Sequence, residues 1–185
     1  THAKMKALTC DVLVVGGGAA GVAAAAAAGR AGAQVVLLER YGFLGGLASA
    51  GAVGTVCGLY LRDSTCARPD LVASGFLQEC SERLATASNS APKRLEHGLW
   101  VLPFPLWAFA RVADELLSEA SNATLVLHAT AADVSVEGRS VKEVRVMAWN
   151  ELLTIHPTAV VDCSGEATLV FLAGGATEDV MADQS

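Results

Sequence analysis

Residues 11–40 read DVLVVGGGAAGVAAAAAAGRAGAQVVLLER, and the fold turns on this stretch. The β-branched apolar run at residues 10–15 predicts a buried strand. Gly18 to Arg30 predicts a helix whose interior is nearly all alanine. Alanine is the best helix former, and its small side chain lets the helix lie close to a sheet. Gln34 to Leu38 predicts a second buried strand, ending at Glu39. A strand, a helix and a strand in so short a span form a β-α-β unit, which favours a right-handed crossover and a parallel sheet.

The glycines between strand and helix follow the pattern Gly16-x-Gly18-x-x-Gly21. Alone the pattern is a weak signal, but here it stands between a predicted strand and a predicted helix. The first glycine permits a tight turn, the second lets backbone amides approach a pyrophosphate, and the third lets helix and strand pack closely. The turn from Gly16 through Gly18, Ala19 and Ala20 to Gly21 then faces the phosphates with the positive end of a helix dipole. Glu39 lies roughly twenty residues further on, where a carboxylate can accept both ribose hydroxyls and repel a 2′-phosphate. On these residues alone, an NAD-binding dehydrogenase domain and a ligand-free glycine turn remain open.

The next segment, ERYGFLGGLASAGAVGTVCGLY (residues 39–60), brings a second pair, Gly45 and Gly46. Here the chain resembles the FAD-dependent oxidoreductases with a glutathione-reductase-like fold. It is most similar to the group with a G-G-x-A/T motif and a nearby C-G-x-Y element. The far end, AVVDCSGEATLVFLAGG (residues 159–175), is similar to the family's A-T-G-D segment, with Cys163 and Ser164 for Ala-Thr and Glu166 for Asp. The resemblance covers residues 10 to 177. It implies FAD as cofactor, with the pyrophosphate on the Gly16–Gly21 turn and the adenosine ribose on Glu39 beside Arg40. It further implies that the backbone of Gly45, Gly46, Leu47 and Ala48 runs from the diphosphate toward the flavin. Backbone near Ala132 would meet the adenine, and Ser164, Gly165 and Glu166 would close the site. The implied architecture is an α/β, Rossmann-like, three-layer FAD-binding domain spanning residues 1–185: a parallel sheet with an added antiparallel β-meander.

The rest of the chain agrees with that outline. Helical periodicity covers Leu71–Ala87 and Leu106–Glu119, and Tyr41–Gly58 reads as irregular. Strands are expected at Thr124–His128, Asp133–Val136, Val141–Ala148, Leu152–Ile155 and Ala159–Asp162, with a hairpin turn at Glu137–Ser140. A last helix is expected at Ala167–Ala173. The 185 residues are 52% hydrophobic and 17% charged, with a net charge of −6, enough for one domain with its own core. The acidic balance argues against nucleic acid. The apolar Ala19–Ala28 stretch is too short to span a membrane, and no signal-peptide core is visible, so a cytoplasmic location is expected. The five cysteines, at 10, 57, 66, 80 and 163, contain no C-x-x-C pair, and histidines 2, 97, 128 and 156 share no ligand spacing with them, so no metal is expected.

Cys57 is the candidate catalytic residue, as a redox thiol or a flavin tether, against the alternative of a small packing residue. Cys10 and Cys163, placed at strand ends, are read as packing. His128 and His156, placed on strands, are read as satisfying local hydrogen bonds, and Trp100, Phe104, Trp107 and Phe109 as a packing cluster, against the alternative that LWVLPFPLW (residues 99–107) covers a neighbouring subunit. The resemblance implies longer proteins with a substrate domain. The expectation is therefore a multi-chain assembly: a second polypeptide, from a separate gene or from cleavage near Ser185, completes the flavin pocket for a small organic substrate. A non-catalytic electron-transfer subunit is the rival to an enzyme.

Overall fold

The structure, a computed structural model, describes residues 6–61 and 69–177. His2, Cys66 and the tail near Ser185 lie outside the described residues.

The expected β-α-β unit is present as β1 (Lys6–Val15), α1 (Ala19–Arg30) and β2 (Val35–Glu39), with the two strands parallel. All five residues of β2 are buried, as in a strand covered on both faces. Helix α1 buries Gly21, Val22, Ala25, Ala26 and Gly29, a single face at helical spacing. A side chain at Gly29 would come within 2.9 Å of the Ala120 Cβ, so small residues are what let this helix sit so low.

The chain then forms β3 (Thr55–Cys57), α2 (Phe76–Ser88), β4 (Lys93–Arg94), β5 (Trp100–Pro103) and α3 (Leu106–Ser118). Strands β3, β5 and β4 make a small antiparallel sheet that the sequence did not suggest, β3 lying inside the stretch read as irregular; each is two to four residues long, too short for a periodic pattern. Helix α2 starts later than expected. Leu71 and Val72 are drawn into a ladder with Leu59–Leu61, and Gly75 at φ 76° turns the chain into the helix. Helix α3 buries Phe109, Val112, Ala113 and Leu116 against α1 and α2.

Strand β6 (Ala123–Leu127) lies parallel to β2. Strands β7 (Ala129–Glu137) and β8 (Ser140–Ala148) form the meander, joined by a hairpin with Gly138 at φ 62°. The two segments expected near 152–155 and 159–162 are one strand, β9 (Glu151–Asp162). Its first part pairs with β8 as far as Ile155, while from Leu153 to Asp162 it runs parallel to β1. Pro157 falls just past the point where β8 leaves, a place where a missing N–H is tolerated. A short helix, α4 (Thr168–Leu172), follows.

The six-stranded order is β6-β2-β1-β9-β8-β7. One core packs the three long helices on the sheet around Val14, Leu37, Leu84 and Leu116. The other packs the curled meander and α4 on the opposite face around Leu13, Val36, Val144 and Ile155. These are the three layers. Outside the first core, Arg30, Glu79, Arg83 and Glu119 link α1, α2 and the end of α3, with Arg30–Glu79 and Arg83–Glu79 at 2.7 Å and Arg83–Glu119 at 2.6 Å. Hydrogen bonding to Arg30 holds the Glu79 carboxyl down at about 2.

Candidate functional site

The C-terminal ends of β1, β2 and β9 lie side by side because the three strands are parallel, and the chain leaves each of them at one edge of the sheet. Open α/β sheets bind ligands at this edge. Here the edge opens into a cleft of about 1080 Å³.

The glycines divide their work. Gly16, at φ 101°, takes a backbone conformation that other residues rarely adopt, and a Cβ there would strike the Cys163 carbonyl. A Cβ on Gly21 would strike the Gly16 carbonyl oxygen, so Gly21 serves the packing of helix on turn and does not line the cleft. Gly17 donates its N–H to Glu39 Oε2 at 2.7 Å. Gly18 differs: a Cβ there meets nothing nearer than the Gly46 Cα at 3.9 Å, so its bare face fronts the open cleft. Ala19 and Ala20 continue that lining into the first turn of α1, whose amides have no intrahelical partner.

The second glycine pair lies against the first. Gly45 N–H donates to the Gly17 carbonyl at 2.9 Å, and Gly18 and Gly45 form a parallel bridge. Gly45 (φ 119°) and Gly46 (φ 53°) lead into a single 3-10 turn, Gly46–Ala48. A Cβ on Gly46 would press on the Gly18 Cα at 3.0 Å. Leu47, 76% exposed, and Ala48 line the cleft beyond it.

Glu39 is 4% exposed, yet it lines the cleft. Besides the Gly17 N–H on Oε2, its Oε1 accepts the Tyr41 N–H at 2.7 Å. The carboxylate therefore pins the glycine turn to the chain leaving β2, a role the sequence did not suggest. Each oxygen keeps a further lone pair for a ligand hydroxyl. At the mouth Arg40 pairs with Glu166 at 3.3 Å, and its guanidinium lies 5.1 Å from the Tyr41 ring centre. Both partners of the pair are more than half exposed, so it adds little stability.

Asp162 was not singled out in the sequence, and it organises the third side. Its Oδ1 accepts the Ser164 hydroxyl at 2.7 Å and the Ser164 N–H at 3.0 Å. Its Oδ2 accepts the N–H of Leu169 at 2.8 Å, at the start of α4. The Ser164 oxygen in turn accepts the Thr168 N–H at 2.9 Å. Burial works to raise the Asp162 carboxyl, but these hydrogen bonds outweigh it and hold it below its ordinary value. The signal was available: an aspartate ending an apolar strand, two residues before a serine. Ser164, Gly165 and Glu166 line the cleft on this framework.

At the start of β7, Ala129, Thr130 and Ala131 line the cleft. Ala132 is exposed and sits at the bulge between Ala131 and Asp133, outside the lining. Cys57 is exposed on β3 and lines the opposite arm of the cleft. Cys10 lies inside β1, not at its end, because the strand begins earlier than expected; burial pushes its thiol up. Cys163 does follow a strand end, half-buried beneath Gly16 and Gly21. His128 is at the corner between β6 and β7 with φ 52°, not on a strand, and its ring lies 4.3 Å from that of Trp149. His156 is on β9, with Nδ1 3.3 Å from the Lys142 carbonyl. Of the aromatic cluster, Phe104 and Phe109 are buried 6.1 Å apart, whereas Trp107 is 57% exposed and faces outward. Among the described residues no group of three or more His, Cys, Asp or Glu could hold a metal ion, and no helix is long and apolar enough to cross a membrane.

The donor set fits an adenine dinucleotide. It offers a bare backbone face at Gly18 against a helix N-terminus, a buried carboxylate with free lone pairs, and a second glycine turn extending the site beyond the diphosphate. This is a dinucleotide-binding α/β domain. The FAD dependent oxidoreductase family model matches residues 11–184, and the chain belongs to that family. FAD is its cofactor. Solved structures share the fold. Thermovibrio ammonificans THI4 is 20% identical with a TM-score of 0.61; the alignment covers 91% of this chain and 64% of that one. The p-nitrophenol 4-monooxygenase PnpA from Pseudomonas putida DLL-E4 is 16% identical with a TM-score of 0.59, covering 92% of this chain and 43% of that one. The 3-ketosteroid-delta4-(5alpha)-dehydrogenase from Rhodococcus jostii RHA1 is 14% identical with a TM-score of 0.59, covering 88% and 47%. This chain thus spans less than two thirds of each. No curated protein matches it.

Proposed function

We propose that this chain is the FAD-binding part of an oxidoreductase that moves a hydride or electrons between a small organic substrate and the flavin. The observation that carries the proposal is the pairing of two glycine turns, Gly16–Gly18 and Gly45–Gly46, beside the buried Glu39. Bound there, the flavin supplies the redox chemistry, and the protein binds and orients it. Gly18, Ala19 and Ala20 would hold the diphosphate, Glu39 the ribose, and Gly45 to Ala48 the path toward the ring. Ser164 to Glu166 would close the site from the β9 side. Cys57, on the arm of the cleft away from the adenosine end, is the proposed thiol near the flavin. The four described cysteines are unpaired, which suits the reducing cytoplasm.

We further propose that a second polypeptide or domain completes the flavin pocket. Leu47, 76% exposed beside the second glycine turn, supports this reading, since a covering partner would take it out of water. Anaerobic titration of the yellow protein with candidate substrates tests the enzyme reading: bleaching is expected, and a flavin that no substrate reduces points to a carrier subunit. Native mass spectrometry tests the partner, because a catalytically competent lone chain carrying FAD would contradict it.

A further inference from the structure

We infer that the arm of the cleft beyond the two glycine turns is the binding site of an uncharged, largely apolar small molecule, the substrate on which the flavin acts. The inference rests on the flavin-dependent reading above. Among the described residues the cleft carries three charged side chains, Glu39, Arg40 and Glu166, and all three stand where β2 and β9 end. From there the cleft follows α1 past Ala23 and runs between the Val53–Cys57 segment and the first turns of α2, at Phe76, Leu77 and Cys80.

No carboxylate, ammonium or guanidinium lines that arm among the described residues. Its side-chain hydroxyls are those of Thr55 and Ser81, and Ser81 already donates to the Gln78 carbonyl at 2.8 Å, so it presents an acceptor. Burial pushes the Cys80 thiol up, which keeps it neutral. Arg30 and Glu79, which join α1 to α2 at 2.7 Å, neutralise each other and do not line the cleft. Among the described residues an ionised ligand would lose its hydration here and find no counter-charge, whereas an apolar one gains by leaving water. Among the described residues the cleft therefore divides by charge: the polar end suits the nucleotide, and the uncharged arm suits the molecule presented to the flavin.

The test is equilibrium dialysis of the full chain, loaded with FAD, against naphthol, naphthoate and naphthylmethylammonium, three probes that share one ring system. Naphthol is expected to bind about tenfold or more tightly than either ion. Val53→Glu and Val53→Lys, at a half-exposed position on the arm, should each weaken naphthol binding by about tenfold with flavin absorbance per chain unchanged. Should either variant fail to fold, the wild-type probe series decides alone. Naphthoate or the ammonium binding as tightly as naphthol, or no naphthol binding, overturns the inference. So does naphthol binding that disappears on FAD loading, since the flavin ring itself would then fill the arm. A chain that stays colourless in excess FAD overturns the flavin-dependent reading instead.

Discussion

Replacing Glu39 by alanine should damage both the empty protein and its affinity for FAD, by separable amounts. The carboxylate accepts two backbone N–H groups at 2.7 Å, from Gly17 and Tyr41. A hydrogen bond to a charged group contributes about 1.5–3 kcal/mol. The Gly17 bond is buried, and its loss leaves an orphaned donor; the Tyr41 bond is part-buried, and water can replace the acceptor. The loss of stability should therefore be nearer to about 2–3 kcal/mol than to the full sum. In the proposed FAD complex the remaining lone pairs would serve the ribose, and losing those bonds should cost about 1.5–3 kcal/mol of binding, or roughly 10- to 150-fold in Kd. Urea denaturation of the cofactor-free protein measures the first effect, and quenching of flavin fluorescence on titration measures the second. Glu39→Gln keeps one acceptor and should fall between wild type and alanine in both. An alanine variant that is destabilised yet keeps wild-type FAD affinity would refute the ribose assignment. One that is not destabilised would refute the pinning of the glycine turn.

Four further substitutions test three separate parts of the account. Gly18→Val should be colourless but folded, since its side chain enters the cleft and not the protein, whereas Gly16→Val should unfold against the Cys163 carbonyl; flavin absorbance and thermal melts separate the two. Glu79 titrates at about 2 in the folded protein and near its ordinary 4.5 when unfolded. Its contribution to stability is thus complete above that ordinary value and lost as pH falls through about 2. Glu79→Gln should flatten the pH dependence of urea midpoints across that window, and an unchanged profile would show that the ion-pair network is not holding the helices. Cys57→Ser should abolish turnover if the thiol takes part in electron transfer, or release flavin on acid denaturation if it is a tether; full activity with noncovalent FAD would make it a lining residue only.

The β-α-β unit was legible because its signals are local: an apolar strand, a glycine turn and an alanine helix within thirty residues. The meander was legible for the same reason, with Gly138 marking its hairpin. The three short strands β3, β4 and β5 left no pattern, because pairing across the chain, not period, makes them strands. Helix α2 is shorter than its periodicity suggests because Leu71 and Val72 suit a helix face as well as the ladder that claims them. In the site, glycine spacing marked the turn but not the contact between Gly18 and Gly45, which depends on where Glu39 holds the chain. Asp162 went unmarked because its work is tertiary, ordering a loop and starting a helix from the end of β9.

The central claim is that FAD lies across the two glycine turns with its ribose on Glu39. A crystal structure of the FAD-loaded protein tests it most directly. The account predicts diphosphate oxygens within hydrogen-bonding distance of the Ala19 and Ala20 amides, beside Gly18 and Gly46, and the adenosine ribose on the Glu39 carboxylate. A diphosphate bound away from the Gly16–Gly21 turn, or a ribose that leaves Glu39 to its two backbone partners alone, would contradict it.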